Sequence, residues 1–105
     1  MTKMIRVYIA LAVISLLGSV ASFAQSTGEA TYKAKCAMCH GATGTPSAGM
    51  AKAMGVKPAS DPDIKKLTVD QEITAVKAGK GKMKPVSGLT DAQVKDVVAF
   101  YRTLK

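Results

Sequence analysis

Cys36-Ala37-Met38-Cys39-His40 contains both cysteines and the only histidine of the 105-residue chain. Two thiols three positions apart, followed at once by a histidine, have the spacing typical of c-type haem attachment. Each thiol can form a thioether bond with a vinyl group of the porphyrin, and histidine is a common axial ligand of haem iron. The motif therefore predicts one haem, bound covalently through Cys36 and Cys39 and ligated by His40.

Two other uses of a C-x-x-C pair fit this chain poorly. A structural zinc site needs four cysteine or histidine ligands, whereas the chain has two cysteines and one histidine. A redox-active dithiol of the thioredoxin kind is expected beside a β-α-β pattern, and the sequence contains no such pattern. The cysteine pair is therefore best explained by haem attachment.

The first 24 residues have the pattern of an export signal. Lys3 and Arg6 form a positively charged start, an uncharged apolar run follows, and small residues precede a cleavage position after Ala24. We expect cleavage there, which leaves a domain of residues 25–105. The alternative is an uncleaved membrane anchor, because the apolar run is just long enough to span a bilayer.

Charge and export limit the expected partners. The chain has a formal net charge of +8, which falls to +6 without the segment that carries Lys3 and Arg6. A basic balance can serve nucleic-acid binding, but the sequence has no nucleic-acid-binding motif. Thioether attachment takes place outside the cytoplasm in bacteria, so the haem motif and the signal both indicate the periplasm. We expect a monomer without a membrane span in the mature domain, meeting redox proteins through their acidic docking surfaces.

Three capping boxes predict the main helices. Each is a serine or threonine followed three positions later by glutamate or glutamine: Ser26–Glu29, Thr68–Gln71 and Thr90–Gln93. The first helix is expected to run to about Cys39, and the second to end at Gly79 in a left-handed C-cap. Residues 47–54 could form a short helix, and Asp61-Pro62-Asp63 marks a turn or another helix start.

Apolar side chains recur at helical spacing after the second and third capping boxes. Val69, Ile73 and Val76 share one face of the second helix. The last helix has a wider apolar face, formed by Val94, Val97, Val98, Phe100, Tyr101 and Leu104. No segment alternates convincingly as a strand would. We predict an all-α fold of about four short helices packed around one haem, which a domain of this size needs as a staple.

Methionine is a common second axial ligand beside histidine. Met38 lies between the cysteines and cannot reach the opposite face of the haem. Met50 and Met54 have the i, i+4 spacing that indicates core packing more often than ligation. Met83 lies in the irregular segment Gly79–Pro85, has no evident packing role and could close over the far face. We favour Met83, while Met50, Met54, a lysine or an open position remain alternatives.

The chain resembles class I c-type cytochromes, close to the small bacterial and algal cytochromes c of the c6 and c5 kind. The resemblance covers essentially the whole domain. It rests on the haem motif, on Gly28 and Tyr32 upstream of it, on the glycine-rich approach to Met83, and on a C-terminal helix with Val97 and Phe100. It implies that Gly28 and Tyr32 cross Val97 and Phe100, which explains a glycine inside a helix.

One departure from the family pattern lies next to the expected methionine ligand. Lys84 follows Met83, where many relatives have proline. Lys82 and Lys84 are therefore alternative ligands at high pH. On the other side of the iron, the carbonyl of Pro46 is a candidate acceptor for the spare ring nitrogen of His40, which would orient the ring.

The resemblance implies a one-electron carrier rather than an enzyme. With His40 and Met83 both bound, the iron would have no vacant position, and the sequence contains no catalytic constellation. Four lysines near Met83 form either a docking patch for an acidic partner or an ordinary solvated surface: Lys77, Lys80, Lys82 and Lys84. The rivals are a haem enzyme or gas sensor with an open or labile sixth position, and an anchored cytochrome subunit of a larger redox complex.

Overall fold

Helices form the regular structure of residues 26–104, the part of the chain that this computed structural model describes. In chain order they are α1 (residues 26–35), α2 (Ala37–His40), α3 (Ala48–Met54), α4 (Pro62–Lys65), α5 (Val69–Ala78) and α6 (Asp91–Tyr101). The predicted all-α fold is confirmed. The export signal and its cleavage position lie outside the described residues. Over residues 26–104, no helix combines the length and apolar character needed to cross a membrane.

Two of the three predicted capping boxes are present in full. Thr68 Oγ1 accepts from the backbone N–H of Gln71 at 3.1 Å, and the Gln71 side chain accepts from the N–H of Thr68 at 2.9 Å. Thr90 and Gln93 make the same pair of bonds at 3.1 and 2.8 Å. The N-cap role predicted for Ser26 is wrong, because Ser26 already lies inside α1.

The shorter helices also begin at the predicted places. Ser47 is the N-cap of α3, and its hydroxyl accepts from the N–H of Met50 at 3.2 Å. Asp61 caps α4 by accepting from the N–H of Asp63 at 2.9 Å. The first helix is shorter than predicted, because a turn at Cys36 separates α1 from α2.

The crossing of α1 and α6 depends on the absence of a side chain at Gly28. A Cβ there would lie 2.8 Å from the carbonyl carbon of Asp96 and 2.9 Å from Cβ of Phe100. One turn later the ring of Tyr32, which is 1% exposed, lies 5.4 Å from the ring of Phe100. Val97 is also buried. The close approach that the family resemblance implied is therefore present in the fold.

A second apolar cluster lies between α5 and α6. Its buried centre is formed by Val76, Val94 and Val98, and Ile73, Met83, Val86 and Leu89 pack against it. The predicted apolar face of α5 is correct at Ile73 and Val76. It is wrong at Val69, which is 46% exposed because it lies at the first position of the helix.

A buried carboxylate joins α5 to the end of α6. Glu72 Oε1 accepts from Arg102 Nη1 at 2.9 Å, and the same nitrogen donates to the carbonyl of Leu67 at 2.9 Å. Burial raises the pKa of Glu72, and the guanidinium of Arg102 opposes that rise without cancelling it. The ion pair thus fixes the position of the end of α6 against α5 more than it adds to the free energy of unfolding.

Candidate haem-binding site

The two cysteines and the histidine of the haem motif lie within one helical turn. The backbone N–H groups of Cys39 and His40 both donate to the carbonyl of Cys36, at 3.2 and 2.9 Å. Both thiols are free and half-buried. Burial, and secondarily the neighbouring thiol of Cys39, raises the pKa of Cys36. Cys36 is the N-cap of α2 and Cys39 lies within it, and because positions i and i+3 share one face of a helix, the two thiols lie on the same side.

The ring of His40 is half-buried and makes no hydrogen bond with any residue between 26 and 104. Its Nδ1 atom is buried without a partner, so the predicted bond to the carbonyl of Pro46 is absent from this structure. The edge of the ring packs against Tyr101, with centroids 5.6 Å apart. Burial lowers the pKa of His40, which favours the neutral imidazole that metals bind. Buried polar atoms are normally hydrogen-bonded, so an unpaired ring nitrogen fits a ligand better than a core histidine.

Tyr32 holds the backbone directly after His40. Its hydroxyl donates to the carbonyl of Gly41 at 2.5 Å, and its ring lies 6.2 Å from that of Tyr101. Burial raises the pKa of Tyr32 to about 12, so the hydroxyl remains a donor at physiological pH. The family resemblance singled out Tyr32 for its crossing with α6, but this bond was not predicted, since nothing in the local sequence pattern indicates its acceptor.

Met83 ends a tight turn that folds back toward α5. The backbones of Lys80 and Met83 exchange two hydrogen bonds, both of 3.0 Å, and the N–H of Val86 donates to the carbonyl of Val76 at 2.8 Å. Met83 is half-buried and packs against the cluster of Val76, Val94 and Val98. The prediction that Met83 has no packing role is therefore wrong.

Gly79 connects α5 to this turn in a different way from the one predicted. Its φ is 79°, as a left-handed cap requires, but its ψ is 168°, so the chain leaves the helix extended. The reason is the turn itself, because the carbonyl oxygen of Met83 lies 2.7 Å from the place that a Cβ on Gly79 would occupy. The absence of a side chain at Gly79 thus allows the backbone of Met83 to come close to the end of α5.

The other methionines among residues 26–104 are weaker candidates for the second axial ligand. Met38 is 86% exposed between the two cysteines, as its position in the motif indicated. Met50 is half-buried on α3, whereas Met54 is exposed at the end of that helix. His40 packs against Tyr101 of α6, and Met83 packs against the cluster that residues of α5 and α6 form.

Comparison with known proteins agrees with the haem motif. Residues 23–100 match the family described as "Cytochrome C oxidase, cbb3-type, subunit III". Cytochrome c-555 of Chlorobaculum thiosulfatiphilum is 41% identical over 83 residues, which are 71% of this chain and 90% of that protein. The chain belongs to the class I c-type cytochromes.

Two further similarities agree with this assignment of the cytochrome. Cytochrome c-555 of Chlorobaculum tepidum is 34% identical over 94 residues, 85% of this chain and 84% of that protein. The solved structure of the c-type cytochrome KustC0563 superposes with a TM-score of 0.66 at 27% identity, covering 74% of this chain and 96% of that one. The family carries electrons by means of covalently bound haem c, and the free thiols and unpaired histidine of this cytochrome fit that group.

The lysines around Met83 are not equivalent in this cytochrome. Lys77 pairs with Asp91 at 2.6 Å, and Lys82 donates to the carbonyl of Ala53 at 3.2 Å. Lys80 and Lys84 are exposed and make no ion pair with a residue between 26 and 104. Of the four lysines, only Lys77 therefore has its charge offset by a described carboxylate, and only Lys80 and Lys84 also lack a side-chain hydrogen bond to another described residue.

Proposed function

We propose that this cytochrome is a periplasmic one-electron carrier with a single haem, attached through Cys36 and Cys39 and ligated axially by His40 and Met83. The observation that carries the proposal is the half-buried His40, whose Nδ1 has no hydrogen-bond partner among the described residues and which lies within one helical turn of two free thiols. The haem iron supplies the one-electron couple. All other parts of the function come from how the chain holds these four side chains.

Different contacts hold His40 and Met83 on the two sides of the site. On the histidine side, Tyr101 packs on the ring, and Tyr32 fixes the carbonyl of Gly41 next in the chain. On the methionine side, the turn that carries Met83 is tied by backbone hydrogen bonds to α5. A thioether ligand raises the reduction potential, and these supports would hold both ligands near the iron in either oxidation state. Two firm ligands would leave no coordination position for a substrate.

Optical spectra of the haem-loaded protein with and without carbon monoxide test this proposal. We expect low-spin ferric and ferrous spectra that carbon monoxide leaves unchanged, because both axial positions are filled by the protein. A high-spin ferric spectrum, together with prompt carbon monoxide uptake by the ferrous form, would instead favour a haem enzyme or gas sensor.

We place the partner-docking surface at Lys80 and Lys84, the two lysines beside Met83 whose ammonium groups make neither an ion pair nor a hydrogen bond with a residue between 26 and 104. Neutralising both in Lys80→Gln/Lys84→Gln should slow reduction of an anionic oxidant such as ferricyanide by roughly threefold to tenfold at low salt, because attraction to the patch is lost. The same change should speed reduction of a cationic cobalt oxidant. Both effects should fade as added salt screens the charges.

The control for this prediction removes the same charge elsewhere. Lys65→Gln/Lys66→Gln neutralises two exposed lysines at the end of α4, so it reports the effect of net charge alone. Equal rate changes in the two double variants would mean that the lysines beside Met83 are only a solvated surface.

A second candidate function is that of a cytochrome subunit anchored in a larger redox complex. The description of the matching family, an oxidase subunit, favours it. The mass of the exported protein separates the two candidates. Cleavage after Ala24 agrees with a free carrier, whereas retention of the first 24 residues in a membrane fraction agrees with an anchored subunit.

A further inference from the structure

The turn that carries Met83 is held by its backbone on one side only. Its hydrogen bonds run between Lys80 and Met83 and from Val86 to Val76 of α5. Two glycines with positive φ, Gly79 at 79° and Gly81 at 58°, lie within the same segment. Glycine adopts such angles, and alternatives to them, at little cost. These bonds alone would allow the turn to move as a unit relative to the rest of the site.

One side chain of the turn reaches an element on another part of the fold. Lys82 Nζ donates to the carbonyl of Ala53, 29 residues earlier, at 3.2 Å. Ala53 lies in the last turn of α3, where carbonyl groups have no N–H partner from a following turn. Within residues 26–104, no other hydrogen bond joins the segment 80–85 to α3.

We propose that Lys82 is a positioning residue for Met83, linking the methionine turn to α3 so that the Met83 thioether stays at its place in the site. This role rests on the proposed ligation by Met83. It is distinct from docking, because the link to α3 depends on the hydrogen bond to Ala53 and not on the charge that Lys82 presents to a partner. Lys82 thus limits how often Met83 moves away, and it does not touch the reacting atoms.

The neighbouring lysines provide matched controls. Lys80 and Lys84 lie on the same segment and carry the same charge, but neither side chain bonds to α3. A hydrogen bond from a charged donor at an exposed position stabilises the contact that it forms only modestly. We therefore expect Lys82→Ala to increase the rate at which Met83 leaves the iron by about fivefold. Lys80→Ala and Lys84→Ala should leave this rate near the wild-type value. Lys82→Arg, which keeps a cationic donor, should also show a rate near the wild-type value.

The experiment uses the haem-loaded ferric protein and imidazole as the probe. Imidazole can bind the iron only after Met83 has left, so its binding rate reports opening. The temperature at which the sulfur-to-iron charge-transfer band disappears is compared with the temperature at which helical circular dichroism is lost. We expect Lys82→Ala to bind imidazole about fivefold faster and to lose the band earlier, with helix unfolding unchanged.

Three results would overturn the proposal, and they are distinguishable. If Lys82→Ala behaves as Lys84→Ala does, Lys82 has no positioning role. If Lys82→Ala lowers both the temperature of band loss and the temperature of helix unfolding by the same amount, Lys82 contributes only to general stability. If the wild-type protein itself lacks the charge-transfer band, ligation by Met83 is wrong, and the role of Lys82 is wrong with it.

Discussion

Gly28→Ala is expected to destabilise this cytochrome strongly, although alanine is the better helix former. The added methyl carbon would overlap the backbone carbonyl of Asp96 and press on Cβ of Phe100. Backbone atoms cannot rotate away, so α1 and α6 would have to separate. Overpacking of this kind costs about 2–3 kcal/mol, which for a domain of this size corresponds to a fall in melting temperature of about 10–20 °C.

Gly49→Ala is the matched control for this prediction. Gly49 lies inside α3, has no positive φ, and a Cβ there would meet no atom within 4 Å. The same substitution should therefore raise stability by up to about 1 kcal/mol through helix propensity. Thermal unfolding of the two variants, followed by circular dichroism, compares them directly. A Gly28→Ala protein as stable as the wild type would mean that the helices do not cross in contact at this position.

Met83→Ala is expected to convert a closed site into an open one. Alanine has no donor atom, and Met38 is exposed between the cysteines, so neither can replace the thioether. We expect carbon monoxide to bind the ferrous variant promptly and the reduction potential to fall by on the order of 100 mV, since axial ligands set the potential of haem proteins. Redox titration and carbon monoxide difference spectra measure both effects.

The control for Met83→Ala is Met54→Ala. Met54 is exposed at the end of α3, and its loss should change neither the potential nor the response to carbon monoxide. A Met83→Ala protein with the wild-type potential would contradict the assignment of Met83. The fold should persist in this variant, because the centre of the cluster that Met83 packs against is formed by Val76, Val94 and Val98.

Features set by short-range patterns were predictable from the sequence. Thr68 and Thr90 begin helices because each can exchange hydrogen bonds with a glutamine three residues later, and both pairs are present in the fold. The close helix contact at Gly28 was predictable for a different reason. Glycine lowers the stability of a helix, and a close neighbour that leaves no room for a side chain explains why it is present. The motif at Cys36 and His40 indicated haem because its chemistry depends on spacing alone.

Features set by distant contacts were not predictable in this way. Lys82 finds its acceptor 29 residues away and Arg102 finds Glu72 across 30, and no local pattern specifies either pair. Glu72 did carry one signal, because it lies four residues before the buried Val76 and so shares its face of α5. Polar character at that position suggested exposure, whereas Arg102 allows the carboxylate to be buried.

The expected bond between His40 and Pro46 shows a limit of another kind. The sequence placed an acceptor near the histidine, but the path of the loop decides whether it points toward the ring. In this structure the ring instead packs against Tyr101, and Nδ1 has no partner among the described residues. The export signal before residue 25 stays a prediction.

The near-infrared and long-wavelength visible spectrum of the ferric haem-loaded protein tests the central claim most directly, because a sulfur-to-iron charge-transfer band appears only when a methionine thioether binds the iron. We predict that the band is present in the wild type, persists in Met50→Ala and Met54→Ala, and is absent from Met83→Ala. A wild-type protein without the band, or a Met83→Ala protein that retains it, would contradict a carrier whose iron is held between His40 and Met83.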